Sequence, residues 1–460
     1  MASFYVENFG CRATQADGAA VERQFEERGL SRADGPEQAE LVVLNTCTVT
    51  AAADQDARAA IRRIRRVNPG CQIVVTGCYA QRAPEEVAAL PGVSRVIGNS
   101  HKHQLAEIVL LPGARSVVPL NDDSAIFVSD IFAHTELLAA PVFDAAHQRT
   151  RPNLKVQDGC DNRCSFCVIP SVRGQSRSLP LNRILREVQA LVDSGYREVV
   201  ISGINLGRWG RDLPIQSATE NWELTTDNCS SELRLRAQPL HFEDLIRAIL
   251  SETSLEKLRI SSVEPMDWSD ELIRMMAGSP RIAKHAHVPL QSGSDRVLRA
   301  MHRKYRPWHY REKVEKIRAA MPTAAIGADV MVGFPGESES DFEETRLLIE
   351  ELSFTYLHVF TYSPRPGTPA AAMRDQVPAQ VARERNRILR ELSAEKKLAF
   401  MRTFVGTTVD AISLNVFDGQ STEALTDNYL KLRLAGHHEP NRWLQARVGN
   451  VADGALVATL

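Results

Sequence analysis

Short apolar runs separated by amphipathic stretches divide the chain into three blocks. In residues 1–135, Phe4-Tyr5-Val6, Leu41-Val42-Val43-Leu44 and Ile73-Val74-Val75 are continuous and rich in β-branched residues. Such runs suit strands buried on both faces, as in a parallel sheet. Helical periodicity fills the intervals near 15–29 and 51–67, so an open parallel α/β sheet is expected. In residues 150–395, strand-like runs recur at 153–157, 197–202, 256–261, 284–289, 326–332 and 355–361. Helical stretches at 181–194, 241–251, 306–321 and 338–352 lie among them. Successive βα units of this kind imply a partial parallel (β/α)6 barrel, with chemistry in the loops at the carboxyl ends of its strands. The rhythm fails across 211–240, where Asn, Thr, Ser and Glu dominate, and this stretch reads as an inserted surface loop.

The third block, 396–460, is short. Leu430, Leu432 and Leu434 alternate with Tyr429, Lys431 and Arg433, the period-two pattern of a strand with one basic, aromatic face. A small β-barrel presenting such a face could hold RNA through cations and a stacking ring. On this segment alone the solvated side of any β domain is the favoured reading.

Composition narrows the class. Hydrophobic residues make up 43% and charged residues 24%, the balance of a water-soluble globular protein. No apolar run approaches the roughly 20 residues that span a bilayer. The net charge of −2 does not announce a nucleic-acid binder, so any RNA affinity must come from local patches. One patch is Arg58, Arg62, Arg63, Arg65 and Arg66 on the helix expected at 51–67; it is either a solvated helix surface or a phosphate contact.

The eight cysteines carry the sharper signal. Cys160, Cys164 and Cys167 form a C-x3-C-x2-C cluster directly after the first barrel strand. Three thiolates can hold three irons of a cubane and leave the fourth open to a small molecule, whereas ordinary electron carriers close the cluster with four cysteines. Structural zinc requires a fourth protein ligand; His147 is the nearest candidate, and no second C-x2-C or H-x3-H pair follows. A disulfide framework fits poorly, because eight cysteines in 460 residues are sparse and the chain starts without a basic, apolar leader. A reducing cytoplasm is the expected setting. Three more cysteines, Cys11, Cys47 and Cys78, each follow one of the amino-terminal strands. Equivalent strand ends of an open α/β sheet form one site, so these three should converge as a second triad. Cys71 and Cys229 read as small buried hydrophobes.

Taken together, these residues resemble the methylthiotransferases of the radical S-adenosylmethionine (SAM) superfamily. The likeness spans an amino-terminal three-cysteine domain, a radical SAM barrel and a carboxyl-terminal TRAM domain. It fails only around 208–240 and in the last twenty or so residues. Asn45-Thr46-Cys47-Thr48-Val49-Thr50, Ala53-Asp54 with Ile61-Arg62-Arg63, Thr76-Gly77-Cys78-Tyr79-Ala80-Gln81, Gln157-Asp158-Gly159-Cys160 and Arg173-Gly174-Gln175-Ser176-Arg177-Ser178 look like the branch acting on N6-threonylcarbamoyladenosine in tRNA. Ala13 and Thr14 depart from it, standing where the family commonly has Leu or Val and then Asn.

What the resemblance implies is radical chemistry at C2 of an adenine, a C–H bond that acid–base catalysis cannot open at neutral pH. It implies two [4Fe-4S] clusters. One, on Cys160, Cys164 and Cys167, would reduce SAM to methionine and a 5′-deoxyadenosyl radical; the other, on Cys11, Cys47 and Cys78, would supply sulfur. It further implies tRNA as partner, an external reductant such as flavodoxin or ferredoxin, a sulfur-donor system and no membrane. Gly203 and Asn205 after the second barrel strand, Glu264 after the third, Gln291 after the fourth and Asp329 in the fifth are candidate SAM contacts, with Arg173 a candidate partner for the SAM carboxylate. For Glu264 and Asp329 a structural salt bridge is the competing role. Rival readings are methylthiolation of isopentenyladenosine or of a ribosomal protein, and a non-catalytic iron–sulfur protein that binds RNA or carries electrons.

Overall fold

A computed structural model describes residues 2–110, 125–134, 137, 150–214 and 239–460. The amino-terminal domain is built on strands β1 (Ser3–Asn8), β2 (Ser31–Arg32), β3 (Leu41–Thr46), β4 (Gln72–Gly77), β5 (Val93–Gly98) and β6 (Ala125–Phe127). All pair in parallel, in the order β2-β1-β3-β4-β5-β6. Alternation along the strands sends side chains to opposite faces. Val42, Leu44, Ile73 and Val75 meet Ile61 and Ile64 of the helix Ala51–Val67. On the other face Phe4, Val6, Val43 and Val74 pack against Val21 and Phe25 of the helix Arg12–Glu26 and against Leu105 and Val109. The helix expected at 51–67 is therefore found in place, with Thr50 capping it by accepting from the Ala53 N–H at 3.2 Å. The one expected at 15–29 starts three residues earlier, at Arg12.

The middle domain carries β7 (Asn153–Asp158), β8 (Arg177–Ser178), β9 (Glu198–Gly203), β10 (Lys257–Ile260), β11 (His285–His287), β12 (Ala325–Val332) and β13 (Tyr356–Thr361). Each expected barrel strand is present. Parallel pairing runs β7-β9-β10 and β11-β12-β13, and single parallel bridges, Leu258 to Ile282 and Ser262 to His287, carry the arc between the two groups. The two-residue β8 adds an antiparallel edge to β7. Residues facing outward, among them Leu154, Val156, Val199, Ile201, Leu258, Ile260, Ile326 and Val330, pack under the helices. The inward positions are polar and buried: Asn153, Lys155, Gln157, Glu198, Ser202, Arg259, His285 and His287. A buried lumen lined in this way must satisfy its polar groups internally or with a ligand. The expected loop at 211–240 is described only at its ends; most of it, with Cys229, and likewise His147, lies outside the described residues.

The last domain is a closed barrel of β14 (Thr408–Phe417), β15 (Ser421–Thr426), β16 (Lys431–Ala435), β17 (Trp443–Ala452) and β18 (Ala455–Thr459), in the order β14-β15-β16-β18-β17. Leu430, Leu432 and Leu434 point into its core, as the alternation requires. Closure needs β17 and β18, so the final twenty residues, where the resemblance fades, complete the barrel. The expected boundary at 396 falls inside a continuous helix, Ala379–Arg402. Leu389 of that helix belongs to the middle-domain core and Met401 to the barrel core, so one element serves both.

Tyr429 corrects another expectation. It precedes β16 with φ +71° and turns toward the middle domain instead of offering a ring to RNA. Its ring lies 4.6 Å from that of His285 and 6.3 Å from that of Tyr356. The Arg259 guanidinium sits 5.3 Å from its centroid, and Arg12 donates to its hydroxyl at 3.3 Å. Tyr429 thus plugs the lower end of the lumen. Among the described residues no helix is long and apolar enough to cross a membrane.

Candidate active site

Adjacent parallel strands bring the first three cysteines together. Cys11 is the N-cap of the helix Arg12–Glu26, Cys47 follows β3, and Cys78 opens the helix Cys78–Arg82 directly after β4. The thiols feel one another electrically. Burial pushes Cys47 up to about 12, and the neighbouring Cys78 and Cys11 push in the same direction. Gly10, at φ +97°, lies beneath Cys47; a Cβ there would fall 2.6 Å from the Cys47 Cβ and 2.9 Å from its Sγ. Only glycine combines that backbone with that approach. Thr14, one of the departing residues, rests with its Oγ1 3.6 Å from the Cys11 Sγ. Asn99 points its amide at the Cys78 Sγ, 3.6 Å away.

The second triad occupies the loop after β7. Cys160 Sγ is approached by the Asn162 N–H at 3.4 Å and by the Asn205 amide at 3.6 Å. Arg303 directs Nη1 to the Cys164 Sγ at 3.3 Å. Cys167 is pushed up to about 12, first by burial and then by Cys164 and Cys160. N–H groups directed at sulfur favour a thiolate over a thiol. All of these cysteines are free. Cys47 and Cys78 are buried, the three thiols of the second set are partly buried and Cys11 is exposed. Grouped thiols with donors aimed at their sulfurs suit metal ligation, which removes the thiol protons. Both triads fit a cluster bound through three cysteines. Only a short helix separates them. Ile169–Arg173 begins two residues after Cys167, and Val168 and Val172 pack directly on Cys78.

The other candidates take mixed places. Asn205 faces the second triad, its backbone N–H donating to the Gln157 Oε1 at 2.6 Å while its own Oδ1 is buried without a hydrogen-bond partner. Gly203 admits that glutamine: a Cβ there would lie 2.8 Å from its Oε1. Glu264 pairs with Arg303, so it stands one residue from the cluster loop. Gln291 has φ +63°, a conformation costly outside glycine and over-determined by backbone bonds to Asp329 and Met331. Asp329 lies between His287 and His358, at 3.4 and 3.5 Å. Burial alone would raise its pKa, but the two imidazoles hold the carboxyl well below the usual range.

Arg173 is placed otherwise than expected. Its guanidinium is buried and occupied, donating to Asp158 at 2.9 and 3.1 Å and to Asp17 at 3.0 Å. Lys102 and Lys155 also bond to Asp17, and Lys155 to Asp158. Three cations and two carboxylates thus form one buried cluster joining the first two domains beside Cys78. Both terminal nitrogens of Arg173 are thus taken by carboxylates of the chain, and Nε alone is left without a partner. Sequence reasoning missed Arg303 and the pairing within this ion cluster: Asp158 and Arg173 stand in the quoted motifs, but Asp17, Lys102 and Lys155 carry none.

Comparison with known proteins agrees with the geometry. Residues 3–98 match the model of the uncharacterized protein family UPF0004, and residues 154–349 match the radical SAM superfamily. The threonylcarbamoyladenosine tRNA methylthiotransferase MtaB of Bacillus subtilis (strain 168) is 36% identical, covering 95% of this chain and 91% of its own. The MtaB protein of Aquifex aeolicus (strain VF5) is 34% identical, with 96% and 99% covered. The tRNA-2-methylthio-N(6)-dimethylallyladenosine synthase of Nocardia farcinica (strain IFM 10152) is 35% identical, with 98% and 84% covered. Among solved structures, the radical SAM methyltransferase TsrM from Kitasatospora setae shares the fold, at TM-score 0.56 and 15% identity, covering 91% of this chain and 79% of that one. Radical SAM membership carries with it one [4Fe-4S] cluster and SAM. With relatives of this similarity over nearly its whole length, the chain belongs to the radical SAM tRNA methylthiotransferases.

Proposed function

We propose that this enzyme methylthiolates C2 of N6-threonylcarbamoyladenosine next to the anticodon of tRNA, giving the 2-methylthio derivative. The observation that carries the two-site reading is the contact of Cys78 with Val168 and Val172, which sets the first triad against the helix that leaves the second. When bound, a [4Fe-4S] cluster on Cys160, Cys164 and Cys167 supplies the electron that cleaves SAM, and a second on Cys11, Cys47 and Cys78 supplies sulfur. The chain's own part is positional. Asn205 and Arg303 direct N–H groups at Cys160 and Cys164, which stabilises thiolate over thiol and orients the ligands. Glu264 holds Arg303 in that pose and keeps its second oxygen for a SAM hydroxyl or ammonium. The unpartnered Asn205 Oδ1 offers an acceptor for the SAM ammonium. Electrons come from an external reductant of the flavodoxin or ferredoxin type, and sulfur from a separate donor system.

Two supports favour the threonylcarbamoyl substrate: the motifs around Cys47, Cys78 and Cys160, and the MtaB names of several relatives. For tRNA, the exposed Arg62, Arg65 and Arg66 are the better phosphate contacts, because Arg58 is bonded to Tyr79 and Glu86 and Arg63 to Glu7. The second reading, methylthiolation of isopentenyladenosine, is favoured by the dimethylallyladenosine synthases that match at similar identity. Mass spectrometry of tRNA nucleosides from cells lacking the gene decides between them. The methylthio group should vanish from threonylcarbamoyladenosine and persist on isopentenyladenosine; the reverse pattern overturns the proposal. Cys47→Ala should still cleave SAM yet form no methylthiolated RNA.

A further inference from the structure

The polar lumen holds a set of three groups of which two, both histidines, have no part in SAM cleavage or sulfur transfer, the third being Asp329, a candidate SAM contact. His287 ends β11, Asp329 lies mid-way along β12, and His358 pairs in register with Asp329 from β13. Their ligand atoms, the His287 Nε2, an Asp329 oxygen and the His358 Nδ1, all lie within 4.8 Å of one another. Asp329 Oδ1 stands 3.4 Å from the His287 Nε2 and 3.5 Å from the His358 Nδ1. Both separations exceed the roughly 2.7–3.2 Å of an N–H···O bond. These two separations are close to the edge, about 3.4 Å, of a tetrahedron whose centre lies about 2.1 Å from each corner, as for zinc bound by imidazole and carboxylate, and the two imidazole nitrogens lie within 4.8 Å of each other.

A second observation points the same way. The His287 Nε2 is buried and makes no hydrogen bond of ordinary geometry, its neighbour being the Asp329 oxygen 3.4 Å away. Its other nitrogen, Nδ1, lies 2.9 Å from the Ser262 Oγ. A bond from Nδ1–H to that hydroxyl would fix the tautomer that leaves the Nε2 lone pair toward the cluster, the outer-shell arrangement usual for metal-ligating histidine. His358 is open to solvent, its side chain 55% exposed, so an ion has a way in.

We infer that His287, Asp329 and His358 bind one divalent transition-metal ion of the zinc type, with an open coordination position toward the lumen for an oxygen of the substrate or of water. Two imidazoles and one carboxylate suit such an ion, and three protein ligands leave room for a fourth. The site stands on the barrel alone and does not depend on which nucleoside is modified. The test uses full-length, anaerobically reconstituted protein incubated with Zn2+, passed through a desalting column and analysed for zinc and iron. Wild type should retain one zinc per chain. His287→Ala and His358→Ala should lose it while keeping their iron, and Cys160→Ala and Cys47→Ala should lose iron while keeping zinc. His358 is exposed enough for its alanine variant to fold. No retained zinc in wild type, zinc retained by both histidine variants, or zinc that leaves with the cysteines would each overturn the site.

Discussion

Gly10 makes the case at the residue scale. Any side chain there needs both an unfavourable φ of +97° and space that the Cys47 Cβ already fills. Gly10→Ala should cost about 1–3 kcal/mol and release iron from the first triad, while iron bound by Cys160, Cys164 and Cys167 remains. Iron content beside a denaturant melt checks both parts. Cys47 itself gives a pH prediction. Its thiol is raised to about 12 by burial and by its cysteine neighbours, against about 8.5 in an unfolded chain. A raised acid is stabilising while neutral, so in cluster-free protein this contribution is whole below pH about 8.5 and is lost as pH climbs toward 12. Melting temperatures from pH 8 to 11 should fall less steeply for Cys47→Ala than for wild type. The six cysteines were legible because three follow strands and three form one short motif. Arg303 was not, because it approaches Cys164 from 139 residues away.

Among the elements, strands with long β-branched runs declared themselves, and those of two or three residues did not. β2 and β8 are too short to carry a period, and β11 is His-Ala-His, legible only as part of a longer run. The ion cluster lay beyond pattern reading for another reason: Asp17 meets Lys102 over 85 positions and Arg173 over 156. A basic residue beside a glycine in a cluster motif looked like a ligand because its carboxylate partner belonged to a different element. Asp17 now has a clear consequence. It accepts from Lys102, Lys155 and Arg173, all almost fully buried. Asp17→Asn would leave three buried cations with one carboxylate, and breaking such a set costs about 3–5 kcal/mol. Calorimetry should show that loss, with the first two domains melting apart.

Across the whole molecule, three domains were readable but their joints were not. The alternation that buries Leu430, Leu432 and Leu434 was correct, and it implied an exposed Tyr429. Tertiary docking overrode it: contact with the tilted ring of His285 and with the guanidinium of Arg259 gives that ring a better place than water. Tyr429→Ala should cost about 1–3 kcal/mol and loosen the carboxyl-terminal barrel. Limited proteolysis should then cut faster near Thr403–Thr407, and a rate equal to wild type would show the ring to be idle.

The same ring has a bearing on how the protein is made. Arg12, the residue after Cys11, touches Tyr429, so the first and last parts of the chain meet beneath the middle one. A growing polypeptide that has emerged only as far as β13 still has an unstoppered base, with His285 and Arg259 facing solvent from below. Sealing waits until translation is nearly over. A product truncated after β13 would lack the ring that covers His285 and Arg259.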